Sequence, residues 1–245
     1  MFRPRLDAVF FDVDDTLYST TEFARRARQN SIAAMIRQGL KASPSRCYEE
    51  LLEVIGEFSS NYEHHYDKLL LRLPQSSWKG LNSSVLTSAA VVAYHQTKSR
   101  ELKPYPDVVP ALRWLSRERL LLGVVSSGLA IKQAEKLVRL GVVDYFDPRA
   151  IFISEQIGIN KPNPKLYLTA CRRMRLGPHR ALYVGDDPAM DVDPPNRVGM
   201  KTARIRRGGR HDGETGKTRP THEIRSFREL CAIIRQEYAT PRRRR

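Results

Sequence analysis

Residues 6–11, apolar apart from Asp7, form a short run that stops abruptly at Asp12-Val13-Asp14-Asp15-Thr16. A run this short, without polar alternation, has the pattern of a strand buried on both faces of a parallel sheet. That reading constrains the whole chain, because a parallel partner is reached only through a long crossover connection. The segment that follows reads as helical. Ser19 and Glu22 have capping-box spacing and predict a helix from about Thr20, which Phe23, Ala27, Ala34, Met35 and Ile36 suit. Further helices are expected over 47–58, 65–73 and 85–98, with breaks at Ser43-Pro44, Pro74 and Gly80-Leu81-Asn82-Ser83.

Beyond Pro104 and Pro106 the rhythm changes. Helices at 108–119, 131–140 and 164–175 alternate with strands at 120–125, 150–153 and 181–184. A last short strand is expected at 202–205 and a closing helix at 226–238, after a polar, Gly-rich loop around 208–216. Such alternation implies a parallel sheet with right-handed crossovers. The expected fold class is α/β, a Rossmann-like parallel-sheet core formed by residues 1–17 and 104–245 with an all-α cap domain inserted at 18–103. A length of 245 residues suits one core carrying an insertion.

Hydrophobic residues at 41% and charged residues at 28% allow an ordinary buried core. The net charge of +15 raises three kinds of partner: nucleic acid, an anionic membrane surface, or small acidic molecules. Lys and Arg are spread along the chain, however, and form a true run only at Arg242, Arg243, Arg244 and Arg245. A solvated basic surface is the simpler reading, and nucleic acid is not expected as a partner. Cys47, Cys171 and Cys231 are far apart and contain no CxxC pair, which argues against a disulfide framework and a zinc site. No segment approaches the ~20 apolar residues of a spanning helix, so no membrane partner is expected. The short start before the first strand leaves no room for a signal-peptide core, and a cytoplasmic location is expected.

Ligands of parallel sheets bind beyond the carboxyl ends of the strands. Asp12, Asp14 and Asp15 follow the first strand; Ser126, Ser127 and Gly128 follow the strand at 120–125. Gly185, Asp186, Asp187 and Asp191 follow the strand at 181–184, and Lys161 lies in Asn160-Lys161-Pro162-Asn163-Pro164 just before a helix. Six of the 27 acidic residues thus gather at two strand ends. Carboxylates packed together need a cation or protons to compensate them. Mg²⁺ is the natural choice, since it is usually held by one or two carboxylates together with substrate phosphate. Lys161 adds a fixed positive charge, and the hydroxyls and amides of 126–128 suit phosphate oxygens. The set reads as a phosphate site built around a metal, with a small phosphorylated metabolite as its partner.

In order along the chain, Asp12-x-Asp14-x-Thr16, Ser126, Lys161 and Gly185-Asp186-x4-Asp191 resemble the four motifs of the haloacid dehalogenase (HAD) superfamily. The helical insertion resembles that family's larger, C1-type cap. Within the family, Ala24-Arg25-Arg26-Ala27-Arg28-Gln29-Asn30, Ser60-Asn61-Tyr62, His65-Tyr66-Asp67 and Tyr94-His95-Gln96-Thr97-Lys98 resemble an archaeal-type subfamily described as glyceraldehyde 3-phosphate phosphatases. The likeness runs over residues 7–209.

The resemblance implies a Mg²⁺-dependent phosphatase acting on small phosphate monoesters, sugar- or triose-phosphate-like, through an aspartyl-phosphate. It makes Asp12 the nucleophile and Asp14 the acid that protonates the leaving alcohol and then the base that deprotonates water. A pKa raised by nearby carboxylates would help Asp14 in that double role. The metal would be held by Asp12, the backbone carbonyl of Asp14 and Asp186, with Asp191 or Asp187 holding its waters. Ser126, the Ser127 amide and Lys161 would hold the transferring phosphoryl group. Ser127 stands where the family commonly has Asn or Asp. His95 and Lys98 are the candidate specificity residues of the cap, ahead of His64 and His65.

Three rival readings belong beside this one. A 2-haloacid dehalogenase needs the nucleophile but neither a metal nor an acid for its halide leaving group, so Asp14 and the acidic cluster argue against it. A phosphomutase would retain the aspartyl-phosphate, and nothing in the sequence favours it. A basic nucleic-acid-binding protein on this fold draws on the net charge but leaves the acidic constellation without a purpose.

Overall fold

The computed structural model describes residues 3–241, so the arginines at 242–245 lie outside the described residues. Contacts divide the chain into two units, Met1–Thr21 with Lys103–Arg245, and Glu22–Leu102.

Among the described residues, the first unit holds a six-stranded sheet: β1 Ala8–Phe11, β2 Leu121–Ser126, β3 Ile151–Ile153, β4 Ala181–Gly185, β5 Lys201–Ile205 and β6 His222–Ile224. Their order in the sheet is β3-β2-β1-β4-β5-β6, and every pairing is parallel. Strand β1 is central, with Phe11 in register with both Val124 and Val184. The chain therefore leaves β1, β2 and β4 at one edge, where Asp12, Ser126 and Asp186 emerge.

The unbroken apolar run of β1 is explained by cover on both faces. Phe10 turns into a cluster with Phe152, Leu166 and Tyr167, its ring 6.3 Å from that of Phe152. Phe11 points the opposite way and stacks on Phe227 at 5.5 Å. Both phenylalanines are fully buried.

The second unit is built from α1 Thr20–Arg37, whose first two residues lie in the first unit, α2 Pro44–Phe58, α3 His65–Arg72 and α4 Ser83–Glu101. Its core contains Ile32, Met35, Cys47, Leu51, Leu69 and Leu86. Buried Ser31 accepts a hydrogen bond from the Tyr66 hydroxyl at 2.8 Å and donates to the Ala90 carbonyl at 3.0 Å, which ties α1, α3 and α4 together. Asn82 caps α4 by accepting from the backbone N–H groups of Ser84 and Val85.

The remaining helices of the first unit are α5 Val108–Arg117, α6 Ala130–Arg139, α7 Ser154–Ile157, α8 Pro164–Arg173, α9 Asp193–Arg197 and α10 Phe227–Glu237. The expected helices and strands lie close to these bounds. The difference is at the sheet's edge, because the expected last strand at 202–205 is followed by β6, parallel to β5. Three residues with one buried side chain, Ile224, are too short to display a period. The turn Pro188–Val192 and α9 are likewise additions, set in a segment whose prolines mask helical periodicity. Among the described residues no helix is long and apolar enough to cross a membrane.

Because Phe10 is sealed between strand and helix, Phe10→Ala is expected to lower stability by about 3–5 kcal/mol. Urea unfolding of the variant beside the parent protein measures this. A loss well below 1 kcal/mol would show that the Phe10 cluster is not the core described here.

Candidate active site

The carboxyl edge of the sheet brings four charged side chains of the first unit into contact. The Nζ of Lys161 lies 2.6 Å from Asp12 Oδ1 and 2.7 Å from Asp191 Oδ1. All three are buried, Asp191 to 2% exposure. Carboxylate oxygens of Asp12, Asp186 and Asp191 lie within 4.8 Å of one another. Burial pushes the Asp12 carboxyl up to about 7, with Asp191 and Asp14 adding to the rise and Lys161 opposing it. Asp186 is driven up to about 9, by burial first and then by the charges of Asp191, Asp12 and Asp15. Burial would lower the Lys161 ammonium, but Asp12 and Asp191 outweigh it and hold the group well above its usual range.

Asp186 carries the clearest sign of a missing partner: its Oδ2 is buried with no hydrogen-bond partner among the described residues. An oxygen-only donor set holding a buried, unsatisfied carboxylate oxygen is what a hard divalent cation takes. The close packing of this corner depends on Gly185. A side-chain carbon there would fall 2.4 Å from the Asp191 carboxylate, so only glycine lets the Asp191 turn fold back against β4. Asp187 Oδ1 accepts from the Ala189 and Met190 N–H groups and caps the turn, while the Asp191 carboxylate joins Asp12 and Asp186.

Ser126 ends β2 and is buried. The Ser127 hydroxyl is buried with no partner among the described residues, and its carbonyl accepts from Gln133 Nε2 at 2.8 Å. Asp12, Asp14, Ser126, Ser127, Lys161, Asp186 and Asp191 all line one cavity of about 230 Å³. His95 and Lys98 lie one turn apart on α4 of the second unit, His95 exposed and Lys98 half-buried.

Asp14 departs from expectation. A rise caused by neighbouring carboxylates would suit it, yet its pKa is lowered. Burial alone would raise it, but the charge of Lys136 and hydrogen bonds from Lys136, Tyr18 and Thr20 prevail. Lys136 Nζ sits 2.7 Å from both carboxylate oxygens. The Tyr18 and Thr20 hydroxyls donate to Oδ1 at 2.6 and 3.0 Å.

Several supporting residues escaped the sequence. The buried Tyr183 hydroxyl donates to the Val125 carbonyl at 2.8 Å and lies 3.3 Å from Asp191 Oδ1, and Lys161 rests over its ring at 5.3 Å. Arg204, also buried, donates to the carbonyls of Asp186 and His211 at 3.4 and 2.7 Å, tying the loop after β5 to the turn after β4. His211 lines the cavity, 2.9 Å from Glu214 and 3.6 Å from Asp187. A tyrosine inside a strand and an arginine in a basic chain carry no pattern of their own. Gln133 and Lys136 did carry a faint one, since their spacing of three places both on one face of a helix that starts just after Ser126-Ser127-Gly128.

The family described as haloacid dehalogenase-like hydrolase matches residues 6–199, which include each of these acids, Ser126 and Lys161. The chain belongs to this family. This haloacid dehalogenase-like hydrolase is 46% identical to the glyceraldehyde 3-phosphate phosphatase of Methanopyrus kandleri, over 94% of this chain and 98% of the relative. The enzyme of the same name from Pyrococcus furiosus is 37% identical, over 83% of this chain and 82% of its own. A HAD phosphatase of Thermococcus onnurineus shares the fold with a TM-score of 0.68 at 27% identity, covering 96% of this chain and 100% of its own.

The raised carboxyls of this hydrolase set a sign for its stability. Asp186 keeps its proton to about 9 when folded, against an ordinary 3.8, so the folded state binds a proton that the unfolded state releases. The contribution of Asp186 to stability without metal is therefore fully present below about 4 and is lost as pH rises towards 9. The melting midpoint in chelator is expected to decline across that window, and Asp186→Asn to flatten the decline. An equal slope in both proteins would remove Asp186 as its source.

Proposed function

We propose that this hydrolase is a Mg²⁺-dependent phosphatase that cleaves small phosphate monoesters through an aspartyl-phosphate on Asp12, with a triose phosphate such as glyceraldehyde 3-phosphate as its substrate. The observation that carries the reading is the juxtaposition of Asp12, Asp186 and Asp191 around a buried, partnerless carboxylate oxygen, beside hydroxyls and a buried lysine. The substrate class rests on the relative from Methanopyrus kandleri, which matches along nearly its whole length.

In this proposal an Asp12 carboxylate oxygen attacks phosphorus, and the bond from phosphorus to the ester oxygen breaks. The departing oxygen takes a proton from Asp14. Water then attacks the aspartyl-phosphate, gives a proton to Asp14 and releases inorganic phosphate, which restores the Asp12 carboxylate. Ser126, the Ser127 amide and the Lys161 ammonium receive the phosphoryl oxygens and offset their charge. Asp12, Asp186 and the Asp14 carbonyl, with Asp191 behind them, would hold Mg²⁺, which when bound neutralises phosphoryl charge. The donors around Asp14 suit its ionised form, the one needed when water is deprotonated; for the first step it must carry a proton. Substrate choice is assigned to the helical unit as a cap, through His95 and Lys98.

Phosphatase and dehalogenase part at Asp14. Asp14→Asn is expected to slow single-turnover phosphorylation by an alkyl phosphate about 10²–10⁴-fold, and by an aryl phosphate with a good leaving group much less. Asp12→Asn should abolish both, and chelator should silence the parent enzyme until Mg²⁺ is restored. Equal, small losses for Asp14→Asn on both esters, or full activity in metal-free buffer, would overturn the proposal.

For the cap residues the measurement is kcat/KM over a panel of sugar and triose phosphates. His95→Ala and Lys98→Ala are each expected to change the ranking of substrates. An unchanged ranking returns both residues to a structural role.

A further inference from the structure

We propose that Lys136 is a positioning residue for catalysis, which orients the carboxylate of Asp14 and acts on the reaction only through it. The inference rests on the acid–base role given to Asp14 above and adds a residue that lies outside the motif positions. Helix α6 begins at Ala130, directly after the Ser126–Gly128 turn. Gln133 and Lys136 follow one turn apart, so both reach back over that turn. Lys136 Nζ meets Asp14 Oδ1 and Oδ2 at 2.7 Å each, and Gln133 Nε2 stands 3.4 Å from Oδ2 while donating to the Ser127 carbonyl at 2.8 Å.

Equal distances to both oxygens matter. A lysine that merely neutralised a nearby acid would satisfy itself at one oxygen or in water, since its ammonium is a strongly hydrated point charge on a flexible stem. Here the ammonium is symmetrically placed, its side chain only 18% exposed. With Tyr18 and Thr20 on Oδ1 and Lys136 on both oxygens, rotation of the carboxylate about its Cβ–Cγ bond breaks hydrogen bonds in either direction. The same face of α6 therefore fixes the orientation of Asp14 and, through Gln133, the Ser127 backbone at the phosphate site. Misplacing a reacting group by about 1 Å costs on the order of 10²-fold in rate, so loss of the ammonium has a readable consequence.

The test is a double-mutant cycle of Lys136→Met and Asp14→Asn, read by single-turnover phosphorylation with an alkyl and an aryl phosphate. Lys136→Met alone is expected to slow the alkyl ester by about 10²-fold, to spare the aryl ester and to leave KM nearly unchanged. In the Asp14→Asn background it should add almost nothing. Lys136→Arg, which keeps the charge, should recover part of the loss. Should Lys136→Met fail to fold, Lys136→Gln is read the same way. A full further loss in the Asp14→Asn background, or equal losses on both esters, would overturn the inference, because Lys136 would then act on substrate or fold directly. Undiminished alkyl-ester turnover in Asp14→Asn alone would instead overturn the acid–base assignment, and the inference with it.

Discussion

A single buried ammonium, that of Lys161, holds Asp12 and Asp191 together at distances of 2.6 and 2.7 Å. Asp12 follows β1, Asp191 lies in the Pro188–Val192 turn after β4, and Lys161 comes from the loop before α8. Three crossover segments thus converge on one charge. Without that ammonium, two carboxylates would remain buried and uncompensated, a situation that costs about 3–5 kcal/mol when a buried pair is broken. The surrounding packing follows from the same demand. Gly185 makes room for Asp191, and Tyr183 brings its hydroxyl to 3.3 Å from the carboxylate from within the strand and offers its ring face to the lysine.

Two aspartates separated by one residue are pushed in opposite directions by this arrangement. Asp12 shares its lysine with Asp191 and lies deep in the cluster, so its carboxyl rises to about 7. Asp14 has Lys136 to itself, with two hydroxyls besides, and is lowered. The extended chain past β1 is what allows it, because neighbours two apart sit in separate environments while remaining at one cavity. Divergent environments for paired carboxyls are the usual means by which one site assigns different tasks to chemically equal groups.

Much of this was legible in the sequence, for reasons that can be named. Burial on both faces leaves an unbroken apolar run, so Ala8–Phe11 announced a central parallel strand, and its abrupt end announced the edge where acids collect. Asp12, Asp186, Asp191, Lys161 and Ser126 were visible because polar residues at strand ends stand out against apolar neighbours. Tyr183 and Arg204 were not, since one looks like a strand residue and the other is one of many basic residues. The environment of Asp14 was not legible. The sequence shows its acidic neighbours side by side, whereas Lys136 reaches it only after the chain has crossed to α6. The short edge strand His222–Ile224 had no period to reveal it, and its place depends on β5.

The central position of β1 also has a bearing on how the chain is made. Ala8–Phe11 leaves the ribosome before its partners, Leu121–Ser126 and Ala181–Gly185, which are synthesised far later. The Phe10 and Phe11 side chains stay in solvent until then, while the helices of Glu22–Leu102 can form their own contacts as they emerge. Folding is thus paced by its most distant pairings, the kind that slow a chain and leave apolar strand exposed to other chains in the meantime. The strand that leads into Asp12 is thus translated well before the strands it pairs with.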